Sequence, residues 1–209
     1  MTAIYLIRHG QTDYNAQRRV QGHLDIPLNA LGQAQASAAA GALHAAGVRN
    51  PLIHASDLSR ARETAQAVQH KVGGELHPFP ALRELNFGDW DGQEVDALAR
   101  DWAADYAAFR AGRPDFTRPG GESPAQAGER VLAHLQAHWP QPGQTLVLVS
   151  HGLALASLLS QLLKLDYAGA WTSGQVHHVN AAYTRLSVGG VGEVLEADIG
   201  RADHLVDLA

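Results

Sequence analysis

The sequence predicts an α/β fold in three layers: a mostly parallel central sheet flanked by helices, with a small helical cap inserted at about residues 87–122. Two observations set the sheet. Ile4-Tyr5-Leu6-Ile7 runs into Arg8-His9-Gly10, and Leu146-Val147-Leu148-Val149 runs into Ser150-His151-Gly152. Short apolar runs that stop at a glycine read as parallel strands buried on both faces. A third observation supplies the flanking layers, because segments of helical period alternate with such runs along the chain. With 209 residues, 45% of them hydrophobic and 18% charged, the chain suits one domain with a substantial core. No internal repeat or low-complexity segment divides it.

Thr2 to Ile7 is the first predicted strand. Arg8 to Pro27 reads as a long polar loop, and loops of that length in compact domains are usually functional. Arg18 and Arg19 within it read as an exposed basic pair. Asn29 is placed as a helix N-cap, with Leu31, Ala34, Ala38, Ala42 and Ala45 on one face towards the sheet and Gly47 as the stop. Pro51 to Ala55 forms a short strand, after which Ser56 or Ser59 caps a helix to about Lys71. Arg60 then lies in the first turn of a helix that begins at a strand's C-terminal end, where free N–H groups and the helix dipole favour an anion. Arg62, two positions on, points elsewhere and reads as solvated or ion-paired.

Glu75 to Pro78 is a third strand, and Leu82 to Gln93 a loop carrying Glu84. Asp89-Trp90-Asp91 has the D-x-D spacing of aspartyl, magnesium-dependent phosphoryl transfer. That chemistry places the motif at the end of an apolar strand, whereas Asn86-Phe87-Gly88 precedes it here, so the magnesium reading is not favoured. Glu94 to Ala111 reads as a helix with Trp102, Tyr106 and Phe109 on one face. Phe87 to Phe116 holds six of the chain's thirteen aromatics. They are either a core stripe or an apolar cap over a pocket.

Pro119 to Glu122 is a turn, and Ser123-Pro124-Ala125-Gln126 fits a capping box with proline at the first helical position of a helix to about His138. Glu122 is then a turn residue ahead of the cap. Gln144 to Ser150 is the strand that delivers His151, with an apolar helix from Leu153 to Leu163 after it. Gln175 to Leu186 and Val194 to Ile199, joined at Gly189-Gly190, are closing strands. His177 and His178 would face opposite sides of the first of these.

Several function classes drop out. The net charge of −5 and the lack of a basic run argue against a nucleic-acid surface. Without cysteine there is no disulfide, thiolate metal site or thiolate nucleophile. Twelve histidines invite a metal site, but H-E-x-x-H spacing is absent, so most read as scattered surface residues and no metal is expected. A strand begins almost at once and no apolar run approaches membrane-spanning length, so a cytoplasmic location without membrane contact is expected. Oligomeric state leaves no signal.

Arg8-His9-Gly10-Gln11-Thr12-Asp13-Tyr14-Asn15 resembles the R-H-G-x-T-x-x-N signature of the histidine phosphatase superfamily, which includes the cofactor-dependent phosphoglycerate mutases. The resemblance continues in family order through Asp25-Ile26-Pro27-Leu28 with Leu31-Gly32, Ser56 to Ala65, Leu82 to Gly88, Gly120-Gly121-Glu122-Ser123 and Val149 to Gly152. It spans residues 3 to about 155. It implies that His9 is a nucleophile that becomes phosphohistidine, that Arg8, Asn15, Arg60 and His151 make the phosphate pocket, and that Glu84 is the proton donor. His151 is thereby grouped with His9 and Glu84 as catalytic. Gly152 is expected to let the following helix N-terminus approach the phosphate. Gln21, Gly22 and Phe87 are the candidate substrate contacts.

Phosphoryl transfer needs an in-line nucleophile, cationic and N–H donors around three equatorial oxygens, and an acid for the leaving oxygen. Positive charge from Arg8 and Arg60 disfavours imidazolium and keeps a reacting nitrogen free. A hydrogen bond from the other ring nitrogen to a backbone carbonyl would fix the tautomer. Like charge from a bound phosphate favours a protonated Glu84 carboxyl, and the arginines supply the charge that a metal would. The expected activity is metal-independent hydrolysis of a small-molecule phosphomonoester, with no cofactor. The alternative is a phosphoglycerate mutase. Mutases of the family carry extra basic residues after the acid glutamate, including an adjacent arginine pair, whereas Arg100, Arg110, Arg113 and Arg118 are dispersed here. A third reading, a non-catalytic phosphate-binding regulator, fits poorly with His9, Glu84 and His151 all present.

Overall fold

A computed structural model describes residues 2–208. In chain order the elements are β1 (Ala3–Arg8), a one-turn helix α1 (Asp13–Ala16), α2 (Ala30–Ala45), β2 (Leu52–Ala55), α3 (Ser59–Val72) and β3 (Glu75–Pro78). Then come α4 (Val95–Asp101), α5 (Ala103–Arg110), α6 (Pro124–Ala137), β4 (Thr145–Ser150), α7 (Gly152–Leu162), α8 (Tyr167–Thr172), β5 (Tyr183–Val188) and β6 (Val194–Arg201). The strands form one six-stranded sheet in the order β3-β2-β4-β1-β5-β6. The first four run parallel, and β5 and β6 pair antiparallel at one side.

The apolar runs behave as two-faced strands must. Ala3, Tyr5 and Ile7 of β1 pack with Ala40 and Leu43 of α2 and Ala61, Ala65 and Val68 of α3. Ile4 and Leu6 turn to the other face, among Val131 and Leu135 of α6 and Leu155, Leu158 and Leu159 of α7. Side chains alternate across a strand, so a wholly apolar run needs a helix layer on each side, and both are present. Among the described residues no helix is long and apolar enough to cross a membrane.

Several elements differ from expectation. The loop from Arg8 to Pro27 contains α1, whose N-cap Thr12 forms a reciprocal capping box with Asn15. In α2 the buried face is Gly32, Gln35, Ala36, Ala39, Ala40 and Leu43, not the face of Leu31, Ala34, Ala38, Ala42 and Ala45. Alanine lies all round this helix, so apolarity has little direction there. Gly32 helps set the rotation, because a Cβ on Gly10 would sit 2.3 Å from its carbonyl oxygen and one on Gly32 would sit 2.0 Å from that of Gln11. The two glycines let the loop after β1 lie directly on α2.

Neither Ser56 nor Ser59 caps α3; Leu58 holds that position without a side-chain bond, and the Ser59 N–H and hydroxyl both bind Asp25. The helix expected over 94–111 breaks at Trp102 (φ −132°, ψ 44°), with Tyr106 and Phe109 then packing on Trp90. Residues 175–182 are loop rather than strand, because Ala181 N–H and Asn180 Nδ2 bind carbonyls at the end of β1 and fold the segment over it. The Ser123–Gln126 capping box and proline at the first turn of α6 are as expected.

Candidate functional site

Strand order brings the site residues together. The β2, β4 and β1 strands are successive neighbours, and all three end at the same carboxyl edge. In the β1–β4 register Arg8 lies opposite Ser150, so His9 and His151 leave the sheet side by side, their ring centroids 5.1 Å apart. The turn after β2 leads into α3 and places Arg60 next to His151. Active sites of open α/β sheets occupy this edge.

His9 is buried, and its Nδ1 lies 2.6 Å from the carbonyl oxygen of Gly10. A carbonyl only accepts, so Nδ1 carries the proton and Nε2 keeps its lone pair. Burial first, then the guanidiniums of Arg60 and Arg8, hold this imidazole well below the ordinary histidine value of 6.5. His9 is therefore a neutral ring with one free basic nitrogen.

His151 has the opposite tautomer. Its Nδ1 accepts a hydrogen bond from Arg60 Nε at 3.2 Å, which leaves the proton on Nε2. That Nε2 is a buried N–H donor without a partner, and His151 itself is not among the residues lining the cavity that His9 and Arg60 share. Arg60 is itself fully buried, held by carbonyl oxygens of Leu24 (2.7 Å) and Gly22 (2.8 Å), and burial pulls its pKa down to about 10.

Arg8 donates from Nη1 to the His178 carbonyl at 2.7 Å, and its buried Nε has no partner. Asn15 Oδ1 accepts from the Thr12 N–H (3.1 Å) and from Asn180 Nδ2 (3.2 Å), so the Asn15 amide nitrogen is left to donate to a ligand. Gln21 is oriented by Thr12 Oγ1, which donates to its Oε1 at 2.9 Å. Gly22 has φ +47°, and a Cβ there would sit 1.9 Å from Asp91 Oδ1. Only glycine places a carbonyl under Arg60 at this point.

The Glu84 carboxylate lies at the N-terminus of α7. Its Oε1 accepts from the Ala154 and Leu85 N–H groups, both at 2.9 Å, and Oε2 from Leu153 at 3.3 Å. These helix-terminal donors were expected to serve a phosphate; here they hold the acid. Gly152 touches Arg8 at ordinary contact distance (3.5 Å from a built Cβ to Cζ), beside the pocket rather than in its wall.

Arg8, His9, Asn15, Gln21, Gly22, Arg60, Glu84 and Phe87 all line one cavity of about 260 Å³. The rest of its wall is largely apolar: Trp90, Leu98, Tyr106, Phe109 and Trp171. The aromatic segment thus covers the pocket with Tyr106 and Phe109, and Trp102 takes no part in the wall. Asp89 pairs with Arg118 while Asp91 Oδ2 accepts from the His23 N–H at 3.2 Å, so the two carboxylates do not converge on one ion. Arg18 is exposed and pairs with Asp96, but Arg19 lines the cavity, its guanidinium on the Gly92 carbonyl. The expected exposed pair is therefore one surface residue and one wall residue.

Sequence reasoning missed the residues that fix Glu84. His23 Nε2 lies 2.9 Å from the Glu84 carbonyl, and Arg130 spans the carbonyls of Ala81 (2.8 Å), Arg83 (3.1 Å) and Glu84 (3.3 Å) while pairing with Glu122. These residues carry no motif; only the folded chain brings α6 under the acid loop. Of the histidines outside the predicted site, His54, His134 and His178 are buried, while most of the rest lie at or near the surface as expected.

Known proteins resemble this chain over most of its length. A family model described as histidine phosphatase superfamily (branch 1) matches residues 4–197. A curated relative from Escherichia fergusonii, named probable phosphoglycerate mutase GpmB, is 35% identical over 187 residues, covering 89% of this chain and 85% of that one. Among solved structures, a mycobacterial glucosyl-3-phosphoglycerate phosphatase in complex with VO3 superposes with TM-score 0.83 at 33% identity, covering 96% and 99% of the two chains. A phosphoserine phosphatase from Entamoeba histolytica in complex with 3-phosphoglyceric acid gives TM-score 0.82 at 27% identity, covering 99% and 100%.

Proposed function

The chain belongs to the histidine phosphatase superfamily, branch 1, and is an enzyme of that family; from that premise we propose that it is a metal-independent phosphomonoesterase acting through phosphohistidine on His9. The observation that carries this reading is the pair of opposite tautomers: a free Nε2 on His9 beside a partnerless Nε2–H on His151. One is a nucleophile and the other a donor to the transferring group.

In the first step His9 Nε2 forms a bond to phosphorus as the ester P–O bond breaks. The leaving oxygen takes a proton from the Glu84 carboxyl. Arg8, Arg60, the Asn15 amide and His151 Nε2–H bind the equatorial oxygens, and a buried donor of this kind lowers the barrier by about 3 kcal/mol. In the second step water attacks phosphorus, its proton passes to Glu84, and the P–N bond breaks to release phosphate and neutral His9. Segment 87–122 acts as the cap, excluding bulk water and presenting an aromatic wall to the organic part of the substrate.

The mutase reading has a specific observation in its favour, the name borne by the curated relatives. Against it, Arg100, Arg113 and Arg118 are neutralised by Asp101, Asp115 and the Asp89–Asp105 pair, which leaves Arg110 as the one arginine of that segment in the cavity wall. The experiment is an incubation in EDTA with an aryl phosphate and, separately, with 3-phosphoglycerate plus bisphosphoglycerate. Phosphate release without isomerisation is expected, with an acid-labile phosphoenzyme that His9→Ala abolishes. Isomerisation as the dominant outcome, or phosphoenzyme that survives His9→Ala, would refute the proposal.

A further inference from the structure

Away from the phosphate pocket, three histidines converge between the sheet and α6. His134 of α6 and His138 at its C-cap stand four residues apart, with their rings stacked 4.3 Å apart, and His54 reaches them from β2. The ring of His54 lies 5.2 Å from that of His134 and 5.0 Å from that of His138. Their nearest ring nitrogens, His54 Nδ1 and His134 Nε2, are 3.1 Å apart, and one ring nitrogen from each residue falls within 4.8 Å of the others. We propose that His54, His134 and His138 form a binding site for a divalent transition-metal ion of the Zn²⁺ class, one that ties β2 to α6.

The geometry fits that chemistry in three respects. Metal–nitrogen bonds of about 2.0–2.1 Å in a tetrahedron put ligand nitrogens about 3.4 Å apart, so the His54–His134 spacing already matches one edge. His138, the exposed member of the three, provides the entry path. Second, His138 Nδ1 lies 2.9 Å from the His134 carbonyl oxygen, so Nδ1 carries the proton and Nε2 presents its lone pair. A hydrogen bond from the far nitrogen to a backbone carbonyl is how ligating histidines are commonly oriented. Third, Phe79 packs against all three rings, at 4.7, 4.5 and 5.3 Å, giving the apolar shell that strengthens coordination.

An all-imidazole set without thiolate or carboxylate selects Zn²⁺, Cu²⁺ or Ni²⁺ over Mg²⁺ and Ca²⁺. The nearby His77 lies 3.5 Å from Glu75, so the fourth position on the ion would fall to water. None of the three ligands lines the phosphate cavity, so the ion is structural and phosphoryl transfer proceeds without it.

The test uses the full chain, stripped with EDTA, dialysed and titrated with Zn²⁺ alone by calorimetry and thermal melting. One ion per chain is expected. A hundredfold excess over Kd should raise Tm by roughly 5–10 °C. His138→Ala and His134→Gln should abolish both effects, His9→Ala should retain them, and His138→Ala should hydrolyse aryl phosphate like the parent. His138 is exposed, so that variant keeps its metal-free Tm, which the same melts verify. Absence of saturable binding, binding that survives His138→Ala, or binding lost only in His9→Ala would overturn the proposal; the last would place the ion on the phosphate-pocket histidines.

Discussion

Replacing Glu84 by glutamine separates the two proton transfers proposed for it. Glutamine keeps the shape, and its amide oxygen can replace Oε1 as acceptor for the Leu85 and Ala154 N–H groups. Its –NH₂ then faces the Leu153 N–H, which loses an acceptor that was already long at 3.3 Å. That mismatch costs about 1–3 kcal/mol of stability, which a thermal melt registers and a folded domain survives. The chemical loss is larger. General acid catalysis is worth about 10²–10⁴-fold, or roughly 3–5 kcal/mol of barrier. It applies only where the leaving oxygen needs the proton.

An alkyl phosphate should therefore lose that full factor in kcat/KM, which reports steps up to phosphoenzyme formation. A nitrophenyl phosphate, whose leaving oxygen is stable as the anion, should lose about ten-fold or less. Water attack in the second step still lacks its base, so kcat for the nitrophenyl substrate should fall and phosphoenzyme should accumulate. Stopped-flow absorbance would then show a burst of one nitrophenolate per active site, absent from the parent. Equal losses in kcat/KM for alkyl and aryl substrates, with no burst, would refute the acid–base role of Glu84 and reduce it to a helix cap on α7.

Three further outcomes follow from the same geometry. Gly10→Ala puts a Cβ 2.3 Å from the Gly32 carbonyl oxygen, so it should cost about 1–3 kcal/mol in chemical denaturation and lower kcat/KM by displacing His9; an unchanged midpoint would contradict the close approach of the loop to α2. Arg110→Ala removes the one arginine of α5, which lines the cavity, and should raise KM for phosphoglycerates more than for phenyl phosphate; equal effects would deny it contact with a second anionic group. Acid should destabilise the fold through its buried neutral histidines. His9, His54, His134, His151 and His178 all have depressed folded values, so the unfolded chain takes up protons near 6.5 while the folded chain does not. Their stability contribution is present above 6.5 and is lost as pH falls, by up to about 1.4 kcal/mol per pH unit for each such group. Urea midpoints that stay flat between pH 7.5 and 5 would exclude this.

What could be read from the sequence depended on how directly order along the chain becomes order in space. A strand that ends in histidine states where its imidazole will be, at the carboxyl edge, and two such strands state a shared site once they are neighbours. The side-by-side placing of His9 and His151 was legible for that reason, whereas Asn15 and Glu84 were singled out only by a family resemblance covering most of the chain. The buried face of α2 was not, because alanine on every side gives a helix no preferred rotation, and two touching glycines supply it instead. The break at Trp102 has neither glycine nor proline to announce it; packing of Tyr106 and Phe109 on Trp90 accompanies it.

The supports of Glu84 and the histidine cluster share a further reason for being hidden. Arg130 and His134 lie on successive turns of α6 and His138 at its C-cap, in a helix whose sequence announces only its N-terminal cap. Arg130 meets carbonyls 46 to 49 residues earlier in the chain, and His134 meets a ring 80 residues away. Such contacts exist only because the sheet order puts β2 beside β4 and lays α6 across that face. One helix thereby holds the backbone of the acid loop at one turn and offers imidazoles to β2 at the next. An ion bound by those imidazoles would brace the same helix that positions Glu84, stiffening the acid's support without touching the phosphate.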